Sequence, residues 1–199
     1  CTATDTVYVT VRAVTLPVVS GTRSVCSGGS ATYTAAPTGT SPSWTASSGS
    51  ITSGGVYTAP TVTSSTNVVI TYTHTDANGC VVMDTHNIVI QPLPSLTITS
   101  SNASMCAGQT RTLTATPSGG TFSGTGVSGG VFIAPTTPNS YTITYTLTDG
   151  NGCVGTTTQA ITVNPRVGLT AVTFSPSVVC VGSTTSATSS PSSGSWSVI

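Results

Sequence analysis

The sequence predicts an all-β chain, and three observations predict it. Lysine and glutamate are absent among the 199 residues, so two strong helix formers are missing. Serine and threonine supply more than a third of the chain, and Thr, Val, Ile and Tyr favour strands. Apolar and hydroxyl side chains also alternate strictly, as in YTITYTLTD at 141–149, which is the period of a half-buried strand.

Taken along the chain, the elements repeat. SVCSGGSATYTAAP at 24–37 matches SMCAGQTRTLTATP at 104–117, and VVCVGSTTSATSSP at 178–191 matches both. GGVYTAP at 54–60 returns as GGVFIAP at 129–135. ITYTHTDANGC at 70–80 returns as ITYTLTDGNGC at 143–153, each followed by a further alternating strand. Self-similarity at a fixed period is the mark of a repeat architecture. The chain divides into a tail at 1–13, full repeats at about 14–91 and 92–164, and a front portion at 165–199. Prolines at 92, 94 and 165 sit at the junctions, where they restrict themselves and the residues before them. The tail reads as a closing strand with Val7, Val9 and Val11 inward. The front portion reads as the opening strands of a further repeat. Joining the two cannot complete a repeat, so the chain is expected to be a piece of something longer.

Within a repeat, Val68, Ile70, Tyr72 and His74 take inward positions, matched by Tyr141, Ile143, Tyr145 and Leu147. The Asn-Gly pairs in DANG and DGNG suit a type I′ hairpin. One aromatic lies near the middle of each repeat (Trp44, Phe122 and Trp196), where it is expected to pack between two sheets. About seven short strands in each repeat predict a small β-sandwich with a modest core.

Composition narrows function. Only 4% of residues are charged, with four scattered arginines and four aspartates, so no basic stripe exists to bind nucleic acid. No apolar run approaches the roughly 20 residues of a membrane helix. The six cysteines at 1, 26, 80, 106, 153 and 180 show no metal-binding spacing. Regular cysteines in small β domains point to an oxidising, extracellular setting.

The VC-x-G…TATP opening, the GGV[YF]-x-AP element and the ITYT-x-TD-x-NGC hairpin, in combination, resemble tandem immunoglobulin-like or PKD-like repeats. Such repeats belong to large secreted surface proteins of Bacteroidota, including adhesins and type IX secretion cargo. The resemblance implies β-sandwich domains arranged head to tail, forming the stalk of an extracellular adhesin or surface filament. It implies further repeats of the same chain as partners, with neighbouring copies in a fibre or surface glycans as others. The alternatives are a carbohydrate-binding or accessory module of a secreted enzyme, or a subunit of a non-covalent filament. Two cysteine pairings follow. Within a repeat, Cys26 joins Cys80 and Cys106 joins Cys153. An immunoglobulin-like order raises an objection to that pairing, since its partners fall at opposite ends of strands that span roughly 25–30 Å while bridged Cα atoms lie within about 7 Å; both pairings stay open at this point. A head-to-tail rod instead brings Cys26 to Cys153 and leaves Cys1, Cys80, Cys106 and Cys180 to seek partners outside this segment.

Catalytic chemistry is poorly supplied, and no enzyme activity or cofactor is expected. His74 is the counterpart of Leu147, which reads as a strand histidine. Asp84 with His74 across the hairpin is a conceivable dyad, yet no nucleophile stands out. Asp84 and His86 stand where the next repeat has Thr157 and Gln159. Asp76 and Asp149 offer one carboxylate per loop, too few for calcium and well suited to a turn. Asn102-Ala103-Ser104 is an N-glycosylation pattern, and Asp5-Thr6-Val7 resembles the O-glycosylation pattern of Bacteroidota, which makes Thr6 its acceptor.

Overall fold

The computed structural model describes residues 1, 3–100, 103–167, 171–175, 180–182 and 186–190. Trp196 and Asn102 lie outside the described residues. The described residues form an all-β fold of several sheets, and none of them is helical. No helix among them is long and apolar enough to cross a membrane. The chain separates into two compact units. The first is Cys1–Leu96 with Thr146–Thr156, and the second is Thr97–Tyr145 with Thr157–Ile199.

The first unit holds β1 (Val18–Ser20), β2 (Ser24–Cys26), β3 (Ser30–Thr32), β4 (Thr34–Ala36), β5 (Thr40–Ala46), β6 (Ser50–Ile51), β7 (Val56–Thr58), β8 (Thr66–Thr75) and β9 (Val81–Gln91). Its larger sheet runs β2-β9-β8-β5, with a three-stranded sheet β3-β7-β6 and the pair β1-β4. β2 joins β9 in parallel, with Val25 opposite Ile90, and β8 joins β9 antiparallel, with Tyr72 opposite Asp84. Alternation along β8 sends Val68, Ile70, Tyr72 and His74 inward, as their two-residue spacing requires. They meet Ile88 and Ile90 of β9, Tyr57 of β7, Tyr33 and Val19 in one apolar cluster. Each fully buried Ile or Val contributes roughly 1.5–3 kcal/mol. Gly55, at φ +79°, lets the chain pass close against the Tyr33 carbonyl, where a Cβ would collide with that oxygen.

The second repeat holds β10 (Thr97–Ile98), β11 (Ser104–Cys106), β12 (Thr110–Thr112), β13 (Ala115–Thr116), β14 (Thr121–Ser123), β15 (Val127–Ser128), β16 (Val131–Ile133), β17 (Asn139–Thr148) and β18 (Val154–Asn164), of which the facing ends of β17 and β18 belong to the first unit. The pair β19 (Ala171–Ser175) and β20 (Ser186–Ser190) follows. The strand orders β11-β18-β17-β14, β12-β16-β15 and β10-β13 reproduce those of the first unit element by element. Its core gathers Met105, Leu113, Phe132, Ile143, Ile161 and Val163.

Residues 3–13 lie outside every strand, and Val7, Val9 and Val11 are 81%, 81% and 91% exposed. One expectation is corrected. The hairpin turns are not type I′, because only Gly79 and Gly152 take positive φ (80° and 81°) while Asn78 and Asn151 do not. The Gly79 N–H donates to the Asp76 carbonyl at 3.1 Å and the Asp76 N–H to the Cys80 carbonyl at 2.9 Å. That is a three-residue loop closed by a left-handed glycine.

Candidate functional site

The hairpin turns place the second cysteine of each repeat. Asp76 Oδ1 accepts the N–H groups of Asn78 and Cys80, both at 2.8 Å. Asp149 Oδ1 accepts those of Asn151 and Cys153, both at 2.9 Å. Each aspartate therefore has its carboxylate spent on its own turn, as the local geometry of Asx residues favours. Among the described residues no group of His, Cys, Asp and Glu is arranged to hold a metal.

The first cysteine of each repeat ends the strand that runs parallel to the closing strand. Cys26 stands opposite Gln91, and Cys106 stands opposite Asn164. The loops that follow share one bonding pattern. Ser27 N–H donates to the Gln91 carbonyl and Ala107 N–H to the Asn164 carbonyl, at 2.7 and 2.9 Å. Gly29 N–H donates to the Cys26 carbonyl and Gln109 N–H to the Cys106 carbonyl, at 2.8 and 3.2 Å.

Cys26 and Cys153 form a disulfide, with Cα atoms 5.5 Å apart. The tip of the β17–β18 hairpin, which carries Cys153, belongs to the first compact unit. Cys153 is fully buried there, and Gly155 beside it packs against Pro94. Its counterpart Val82 carries a side chain that has no room at 155, where a Cβ would come within 2.8 Å of the Pro94 carbonyl. The pairings Cys26–Cys80 and Cys106–Cys153 are not formed. Cys1, Cys80, Cys106 and Cys180 are free thiols, of which only Cys80 is partly buried.

The Asp84–His74 dyad does not form. Asp84 faces Tyr72 in the β8–β9 register while His74 faces Val82. Asp84 Oδ2 instead accepts the Val19 N–H at 2.7 Å, tying β1 to β9. His74 is buried against Tyr72, at a centroid distance of 5.4 Å, and its Nδ1 lacks a partner. His86 is buried against Tyr33, and its Nε2 likewise lacks one. Neither histidine has a hydroxyl or carboxylate set against it in the manner of a nucleophile and base.

The aromatics sort differently from the sequence reading. Trp44 and Phe122 are half-buried and pack against the two cores. Each lies over a tyrosine, Trp44 on Tyr72 at 4.7 Å and Phe122 on Tyr145 at 4.6 Å. Tyr33, Tyr57, Tyr72, Phe132 and Tyr145 fill the centres. Tyr33 donates its hydroxyl hydrogen bond to the Thr22 carbonyl and Tyr57 to the Ser48 carbonyl, at 3.1 and 2.9 Å. Burial raises both phenols above the ordinary value of 10.0, and for Tyr33 the neighbouring Tyr57 adds to the shift.

Tyr145 donates to the Pro117 carbonyl and accepts the Gly120 N–H, both at 2.8 Å, whereas the Tyr72 hydroxyl has no partner. The first repeat carries two extra residues between its proline and Trp44, and β5 shows a register break between Thr40 and Ser43 with Ser41 at φ 52°. A concavity of about 290 Å³ on the same unit is bordered by Tyr33, Pro42, Trp44, Ser53 and Tyr72. The length difference was visible in the sequence, but its effect on a hydroxyl was not. Thr6 is exposed.

No family model matches this chain, and no curated protein matches it. One solved structure that does match is SGBP-B of the mixed-linkage glucan utilization locus of Bacteroides ovatus, in complex with a mixed-linkage heptasaccharide. It is 16% identical, and the match covers 75% of this chain and 48% of that one at a TM-score of 0.27. This chain therefore spans about half the length of that protein. A likeness of that size establishes neither a shared fold nor a shared ligand.

Proposed function

We propose that the chain is a run of spacer repeats in an extracellular stalk, built from immunoglobulin-like β-sandwiches, with repeats at 14–91 and 92–164. The observation that carries this reading is the Cys26–Cys153 bond, which ties the opening of one repeat to the closing turn of the next. A bond of that kind resists extension along the chain, and disulfides persist in oxidising compartments outside the cell. Few charges and a hydroxyl-rich surface suit a module whose work is mechanical. Within a stalk of this kind, no residue need act on a substrate.

The test is to hold the chain by its two ends and stretch it with and without reductant. The bond removes the 127-residue interval from the stretch. Reduction should therefore lengthen the fully extended chain by roughly 420–460 Å, at 3.3–3.6 Å per residue. Equal extension with and without reductant would sink the spacer reading.

A second reading has one observation in its favour, the concavity bordered by Trp44, Tyr72 and Tyr33 in the first unit. Tyr33 and Tyr72 are buried at its floor, and the half-exposed Trp44 is the aromatic that could stack on a neutral sugar ring. Calorimetric titration with neutral oligosaccharides would favour that reading if heat of binding appears and Trp44→Ala abolishes it.

A further inference from the structure

The free cysteines of the two complete repeats are not equivalent to each other, and each has a bonded twin. Cys106 occupies the place in the second repeat that Cys26 occupies in the first. It has the same parallel register to the closing strand and the same pair of loop hydrogen bonds, and the glycine two residues on is left-handed in both (φ 72° at Gly28, 79° at Gly108). Cys80 occupies the place of Cys153, each with its N–H on Oδ1 of the aspartate four residues earlier and a left-handed glycine immediately before it. The two halves of the Cys26–Cys153 bond are thus presented again, unpaired, on the same chain. Beside Cys106 the second unit also has an open concavity of about 330 Å³, bordered by Ala107, Gly108, Gln109, Arg166 and Val167. At the corresponding place in the first unit, Cys26 receives the hairpin tip that carries Cys153.

We infer that Cys106 and Cys80 are the complementary halves of further rungs in a ladder of disulfides, and that the surface around Cys106 is a docking face for the cysteine-bearing turn of another repeat. The occupant is a repeat of this same class, and a second copy of this chain carries one. Its Asp76–Cys80 turn has the hydrogen bonds of the Asp149–Cys153 turn, and it carries Val82 two residues after the cysteine where the bonded turn carries Gly155. The step is ordinary thiol–disulfide exchange with a small disulfide as oxidant. The Cys106 thiolate attacks oxidised glutathione and releases one glutathione thiolate. The Cys80 thiolate of the second copy then attacks the protein-bound sulfur and releases the other. Two protein thiols are oxidised to one disulfide, and one glutathione disulfide is reduced to two thiols. This inference rests on the cross-repeat nature of the Cys26–Cys153 bond, on which the spacer reading also rests.

The experiment uses the full chain carrying Cys1→Ser and Cys180→Ser, so that only Cys80 and Cys106 remain free. The protein is incubated with oxidised glutathione, resolved without reductant, and its crosslinked peptides are mapped by mass spectrometry. The expected result is a ladder of multimers in which Cys80–Cys106 links exceed either like-with-like link roughly tenfold, a preference of the size that one specific contact supplies. Further substitution of Cys106→Ser should collapse the ladder to monomer and to Cys80–Cys80 dimers. Like-with-like links in equal or greater amount, or monomers with both thiols blocked by glutathione, would overturn the inference. The same map reads the Cys26–Cys153 peptide. Its absence would remove the spacer reading as well, whereas its presence without Cys80–Cys106 links would remove the docking face alone.

Discussion

At the scale of single residues, two aspartates do work that their number in the chain does not suggest. Asp76 and Asp149 each satisfy two backbone N–H groups with one oxygen, in turns that stand partly in solvent. Replacing Asp149 by Ala should cost about 1.5–2 kcal/mol, the lower range for hydrogen bonds to a charged group, read as a shift in the urea midpoint. The turn residues were legible from DANG and DGNG, but the turn type was not. It depends on which residue takes positive φ, and here the aspartate bonds hold the asparagine in an ordinary conformation and leave that role to glycine. A second prediction concerns Tyr33 and Tyr57, whose folded pKa values are raised by burial. Their neutral forms are favoured in the fold, so the stability they contribute is fully present below the unfolded value of about 10. It is lost as pH climbs through the higher folded values. Denaturant midpoints should hold steady from pH 7 to 9 and fall beyond pH 10, and Tyr57→Phe should make that fall shallower.

At the scale of elements, the two units share their strand orders and differ at one loop. Tyr145 fills its hydrogen-bonding capacity on Pro117 and Gly120, while the longer loop before Trp44 leaves Tyr72 with none. The same substitution should therefore act differently in the two repeats. Tyr145→Phe strands a carbonyl and an N–H and should destabilise the second unit by about 1–3 kcal/mol. Tyr72→Phe removes a buried hydroxyl without a partner and should leave the first unit unchanged or more stable. Separate chemical denaturation of each variant measures both. The inward phases of β8 and β17 were legible because alternation is a backbone property. The division of the opening strand between β1 and β2, which join different sheets, was not, since Gly21 in TLPVVSGTRSVC marks a break without showing that the two sides join different sheets. Nor did any local pattern show that Asp84 bridges to β1, because its partner is a backbone N–H that every residue but proline carries.

At the scale of the whole molecule, the covalent link between residues 26 and 153 dominates. A closed loop of 127 residues limits the unfolded chain by about 5 kcal/mol in the entropic account, less any strain in the folded state. Reduction should lower the unfolding midpoint of the chain, and alkylated protein should not regain it. The repeat itself was legible in the sequence, because six cysteines and two hairpins fall at matched positions. The link has one more consequence. Because residues 26 and 153 are fastened directly to each other, a protease that severs the exposed loop at residues 63–65 cuts the backbone without parting the molecule. The two pieces should migrate as one species until reductant is added. A chain fastened in this way survives being nicked.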